Sequence, residues 1–194
     1  MPSPIAHCSL ALALWPPLRR RLGPVAPWRR GVLMLGLLAA LVAPDLDILA
    51  DPLLGRAWFE SHGGALHSLA AGVIFGVVFA LACRLIVPLR LRDLWLAGTA
   101  AYCSHVVLDA CTRGRGVALL WPLWPERIAL PVPLFIGVHH GPDELGRWDL
   151  HAAMVASELA FAALVWLAVR WMRRRAESRD DIAHTHAHAA VEGA

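Results

Sequence analysis

Ser104-His105-Val106-Val107-Leu108-Asp109 lies inside an apolar run over residues 94–112. A histidine and an aspartate four apart on a helix stand one turn above each other on the same face, within reach of one ion. An ionised carboxylate in so apolar a segment needs a partner, and the commonest partners are a cation or a metal. A mere ion pair between the two could be replaced by apolar residues at no loss, which favours the metal. Asp45 and Asp47 follow Pro44, and His62 and His67 bracket Gly63-Gly64-Ala65-Leu66, where other helices could bring the remaining ligands. Each has an ordinary reading alone: Pro-Asp-x-Asp is a common solvated turn, and two histidines before an apolar helix suit capping or interfacial roles. Together they offer oxygen and imidazole nitrogen without thiolate, a donor set for zinc and also for manganese or iron.

The elements that must position these residues belong in a membrane. Of 194 residues, 58% are hydrophobic and 17% charged, against soluble averages of about 45–50% and about 25%. The 18 basic residues are all arginine, and the clusters at 19–21, 29–30 and 173–175 flank apolar runs. Flanking clusters read as topology signals, whereas a nucleic-acid footprint needs a basic stripe on a folded surface, so no nucleic-acid partner is expected. Cys8, Cys83, Cys103 and Cys111 form no C-x-x-C pair and lie in apolar segments, as small core hydrophobes do. No G-x-S-x-G elbow and no P-loop occurs, so serine-hydrolase and nucleotide-binding readings have no support.

In chain order, residues 4–15 are apolar with no basic residue before them, which argues for a retained first helix, ended by Pro16-Pro17, rather than a removed signal peptide. A basic loop over 19–30 leads to a second apolar segment, 31–43, closed by Pro44; both segments are shorter than the ~20 residues a full span needs. A polar connection over 45–66 precedes the longest apolar run, 66–89, which reads as the clearest transmembrane helix. The helix of His105 and Asp109 follows, then a Pro- and Trp-rich loop over 113–148, whose Trp121, Trp124 and Trp148 suit an interfacial belt or a lid. A last apolar helix over 150–172 is stopped by Arg173–Arg175. The sequence thus predicts an all-α helical membrane bundle of about five helices with a metal site at one end, in one domain over 1–175, with a disordered His-containing cytoplasmic tail over 176–194. If the chain starts outside and crosses at each helix, the inner side receives the arginines at 19–21, 29–30, 84, 90, 92, 170, 173–175 and 179, and the outer side only Arg56, Arg113, Arg115, Arg127 and Arg147. This multi-pass topology puts His7, Asp45, Asp47, His62, His67, His105, Asp109 and His151 toward the outer ends of their helices.

Ordered along the chain, these residues carry a resemblance. His7, PDLD at 44–47, HGGALH at 62–67 followed by Ser68, SHVVLD at 104–109, Thr112 and LLWP at 119–122 resemble the membrane-bound metal-dependent hydrolases, also described as LexA-binding, inner-membrane-associated hydrolases. That family is similar in turn to the zinc-dependent phospholipase C superfamily, a helical fold that binds zinc through histidines and aspartates, including an H-x-x-x-D pair. The likeness implies His7, Asp45 or Asp47, His67, His105 and Asp109 as ligands, with His62 as a ligand or in support of one. The chain departs from the pattern at Gly63 and Leu66, where arginine and threonine are usual, and at 113–116, which adds a residue before LLWP. The first departure removes an anion-binding arginine.

The expected function is a hydrolase of the inner membrane that cleaves a phosphoester or related ester, lipid or small molecule, in or near the outer leaflet. A bound divalent ion, zinc before manganese or iron, would activate water, and Asp45 or Asp47 would position or deprotonate it. The alternative is a metal-binding or partner-binding membrane protein without activity, or an ion or solute carrier whose pathway is lined by the buried acids and histidines. His151 and Glu158, seven apart on one helix face, are second-tier candidates, and for Glu158 a buried hydrogen bond serves as well. Arg113 and Arg115, with Arg127 beyond them, suit either a phosphate or lipid headgroups. His139-His140 reads as exposed loop.

Overall fold

Apolar runs become helices throughout this chain. The computed structural model describes residues 3–56, 60–131, 133–137 and 146–192, the side chains of Ala50 and of residues 179–192 excepted. It is all-α: α1 (Pro4–Ser9), α2 (Ala11–Leu22), α3 (Pro27–Val42), α4 (Asp47–Leu53), α5 (Leu69–Arg84), α6 (Leu91–Ala110) and α7 (Trp148–Glu192), with 3-10 turns at Ala43–Leu46 and Ala65–His67. Extended structure among the described residues is limited to two isolated bridges, Thr112 with Phe135 and Val117 with Ile128. His139-His140 lies outside the described residues.

Several helix boundaries differ from those the sequence suggests, each for a physical reason. Pro16-Pro17 does not end the first helix; both prolines sit inside α2, which stops at Gly23 with φ +64°. Helix here survives the lost N–H donors because Leu18 and Leu22 are buried in the core, and tertiary packing overrides local propensity. The expected basic loop therefore shrinks: Arg19–Arg21 form the last turn of α2, where cations favour the helix dipole, and Arg29 and Arg30 lie in α3. The segment 45–66 is less open than expected, because Asp45 lies in a 3-10 turn and Asp47 begins α4. The last helix does not stop at Arg173–Arg175 but runs to Glu192, through the segment whose composition reads as disordered. No proline or glycine interrupts residues 176–192, and alanine, the best helix former, occurs there five times.

The assignment of spans shifts as well. The continuous helical run Pro27–Leu53 (27 residues) and the part of α7 over Trp148–Ser178 (31 residues) are long and apolar enough to cross a membrane. The run expected to be the clearest span forms only the 16 residues of α5, about 24 Å at ~1.5 Å per residue against a hydrocarbon core of about 30 Å.

The core gathers around α6. Leu33, Leu37 and Leu41 of α3, Phe79 and Ala80 of α5 and Leu94 and Ala101 of α6 bury their side chains together. α5 and α6 form a close hairpin: a Cβ on Gly76 would lie 2.0 Å from Thr99 Oγ1 and 3.0 Å from the Trp95 carbonyl. At the far end of this hairpin Arg21 of α2 pairs with Asp93 of α6. At the near end the chain before α5 is strapped down, with Ala118 N–H donating to the Gly63 carbonyl (2.8 Å), Leu69 N–H to Leu119 (3.0 Å) and the Tyr102 hydroxyl to the Leu66 carbonyl (2.7 Å).

Candidate metal centre

Three elements end at one place. The 3-10 turn after α3 brings Asp45, the turn before α5 brings His67, and the last turns of α6 bring His105 and Asp109. One atom from each of these four side chains lies within 4.8 Å of every other. His105 Nε2 is 3.3 Å from both Asp45 Oδ1 and Asp109 Oδ2, while His67 Nε2 is 3.2 Å from Asp109 Oδ2 and 3.6 Å from Asp45 Oδ1. Charged hydrogen bonds are shorter, about 2.7–2.9 Å. Ligands on a tetrahedral ion with bonds of about 2.0–2.1 Å are separated by about 3.3 Å, the spacing found here.

The buried polar atoms give the same answer. His67 Nε2, His105 Nε2 and both oxygens of Asp109 are enclosed without a hydrogen-bond partner, a costly state for groups in the interior. One divalent cation would satisfy His67 Nε2, His105 Nε2 and Asp109 Oδ2 together. His105 is prepared for it, since its Nδ1–H donates to the Leu41 carbonyl at 2.7 Å, leaving Nε2 as the free electron pair. Burial by itself would lower the His67 pKa, but the carboxylates of Asp109, Asp45 and Asp47 outweigh it and push the imidazole up to about 11. The three carboxylates thus favour positive charge beside them. These buried His and Asp groups could hold a metal ion.

Around the four stand the other residues the sequence singles out. His7, fully buried on α1, stacks on the His105 ring (centroids 3.7 Å, 15° between planes), with Nε2 3.5 Å from Asp109 Oδ1. Asp47 faces away from the four-residue set: its Oδ1 accepts from His62 Nδ1 at 2.7 Å, and its Oδ2 lies 3.0 Å from the outer nitrogen, Nδ1, of His67. Asp47, His62 and His67 form a second candidate group that shares His67. His62 Nε2 is 3.9 Å from Asp45 Oδ1.

The second-tier residues fall elsewhere. Glu158 is fully buried in α7, where one oxygen accepts from Ser3 N–H at 2.6 Å and the other from the Ser3 hydroxyl. His151 packs edge-on against Trp148. Arg113 and Arg115 are exposed on the loop after α6. Arg127, read from the sequence with Arg113 and Arg115 as a candidate for a phosphate or lipid headgroups, donates from Nη2 to the His62 carbonyl (2.8 Å); spacing gives no sign of that contact, of the Leu41 carbonyl, or of the buried Asp51, whose Oδ2 accepts from Ser61 N–H (3.0 Å). A carbonyl is invisible to residue type, and the other two act across loops whose path no periodicity encodes.

No curated protein and no solved structure matches this chain. A family model does, that of the YdjM inner membrane protein, over residues 1–176, a length that contains every side chain of the cluster. The protein that folds His7, the Asp45–Asp47 turn, His67 and the His105–Asp109 helix into one buried site therefore belongs to the YdjM inner membrane protein family.

Proposed function

We propose that this chain is a multi-pass membrane hydrolase that depends on a divalent metal, most naturally zinc, and cleaves a phosphoester or related ester. The observation that carries the reading is the set of four ligand-type atoms, with His–Asp separations of 3.2–3.6 Å, enclosed and unpaired except where Asp45 opens outward. Asp45, His67, His105 and Asp109 would hold the ion, with His7 beside them. When bound, such an ion supplies Lewis-acid polarisation of the scissile group and acidity to a water. The Asp45 side chain, 29% exposed against 0% for those of His67, His105 and Asp109, is the group placed to take up the attacking water and accept its proton. Asp47, with its oxygens toward His62 and His67, orients the imidazoles instead. In the net reaction the ester bond breaks, the water oxygen bonds to phosphorus or carbon, and the proton leaves with the alcohol.

Metal analysis of the purified, detergent-solubilised protein tests this, alongside turnover of phosphomonoester, phosphodiester, phospholipid and carboxyl-ester substrates. About one tightly held divalent ion per chain is expected, lost in His67→Ala and Asp109→Ala together with turnover. Stoichiometric metal without turnover on any of the four classes would sink the hydrolase and leave a binding protein or carrier, which ion flux in proteoliposomes would separate.

A further inference from the structure

One cation is built into the rim of this site. Arg127 is anchored by two backbone carbonyls, His62 (2.8 Å from Nη2) and Gly116 (3.3 Å from Nη1). Its guanidinium lies against the bare backbone of Gly63: a Cβ there would come within 2.5 Å of Nη1, and Gly63 holds φ +79°. Only glycine leaves that slot open. A guanidinium has five N–H donors, so three remain without an acceptor among the described residues, and no described carboxylate is within ion-pair distance. Arg127 is exposed. A loop clamp could use any donor; a guanidinium fixed by two carbonyls with further N–H donors to spare has the form of a fork for an anion.

We propose that Arg127 is the specificity-determining residue of this site, which binds the phosphate group of an anionic ester as it approaches over Gly63. The proposal rests on the metal-site reading above and adds the charge class of the substrate. The shared chemistry is a phosphate, on a soluble ester or on a lipid headgroup.

The test compares wild type with Arg127→Gln and Arg127→Lys, all purified in detergent, by metal content, by the Kd of inorganic phosphate, and by the kcat/KM ratio of bis(p-nitrophenyl) phosphate to the neutral p-nitrophenyl acetate. Arg127→Gln is expected to keep its metal, weaken phosphate binding about tenfold or more, as loss of a charged hydrogen bond does, and lower the ratio by a similar factor. Arg127→Lys should recover part of both. Unchanged phosphate binding in Arg127→Gln, or loss of its metal, would overturn the inference and leave a loop clamp. A wild type without metal would instead sink the metal-site reading. Dihexanoyl phosphatidate bound at least tenfold tighter than inorganic phosphate would identify the phosphate as a lipid's, and equal affinity as a soluble ester's; either supports the proposal.

Discussion

Asp47 and Asp109 are both buried acids beside His67, yet they meet opposite nitrogens of its ring. Asp109 Oδ2 lies 3.2 Å from Nε2, on the side of the four-residue set, and Asp47 Oδ2 lies 3.0 Å from Nδ1. An imidazole that gives Nε2 to an ion carries its proton on Nδ1, where a carboxylate raises its basicity and fixes its orientation. Asp47→Asn should therefore weaken metal affinity about 10–100-fold while retaining binding, and Asp109→Asn should abolish it. Competition with a chelator of known affinity measures the difference, and equal losses would make the two acids equivalent. This asymmetry is beyond the sequence. His105 and Asp109 are legible because a helix fixes what four residues of spacing mean, but Asp45 and Asp47 are separated by the junction of a 3-10 turn and a helix. Their side chains diverge there, and no period predicts which one turns inward.

Helices set the distances that these side chains need. α1, with six residues, is too short to persist unaided, and it brings His7 to the site. Glu158 of α7 holds it at Ser3, the residue that caps α1. Glu158→Ala removes two hydrogen bonds from the half-buried Ser3 to a carboxylate, an expected cost of about 1–3 kcal/mol, so thermal unfolding in detergent should come earlier, and metal affinity should fall. The α5–α6 hairpin offers a second check. At Gly76 an added methyl meets Thr99 Oγ1 and the Trp95 carbonyl, whereas at Gly31 it meets nothing within 4 Å. Gly76→Ala is expected to destabilise by about 1–3 kcal/mol and to loosen the metal, because it pushes the start of α5, and His67 with it, from α6. Gly31→Ala, in α3, should change the melting temperature little. Equal effects would mean that the hairpin does not set the site. The apolar runs made the existence of these helices legible; their ends were not, because Pro16, Pro17 and Arg173–Arg175 are local signals that packing and a continuous helix override.

Most of the arginines and the site residues separate to opposite ends of the helices. Arg19–Arg21 end α2, Arg29 and Arg30 begin α3, and Arg84, Arg90 and Arg92 surround the α5–α6 turn, while Asp45, His67, His105 and Asp109 gather at the other ends of α3, α5 and α6, with His7 of α1 beside them. Arginine is retained on the cytoplasmic side of a bilayer, so the metal site should face outward. Single cysteines in a background stripped of the four native ones decide this, with Arg113→Cys beside the site and Arg90→Cys at the α5–α6 turn, both exposed positions. A membrane-impermeant maleimide added to intact spheroplasts should label Arg113→Cys and reach Arg90→Cys only after permeabilisation. The opposite pattern would turn the site to the cytoplasm. Labelling of both from one side would mean that α6 does not cross, leaving only Pro27–Leu53 and Trp148–Ser178 to span. α5 is the helix at stake: about 24 Å of helix crosses about 30 Å of hydrocarbon only if the bilayer thins around it or flanking arginines snorkel, and Arg84 and Arg90 stand where snorkelling would occur.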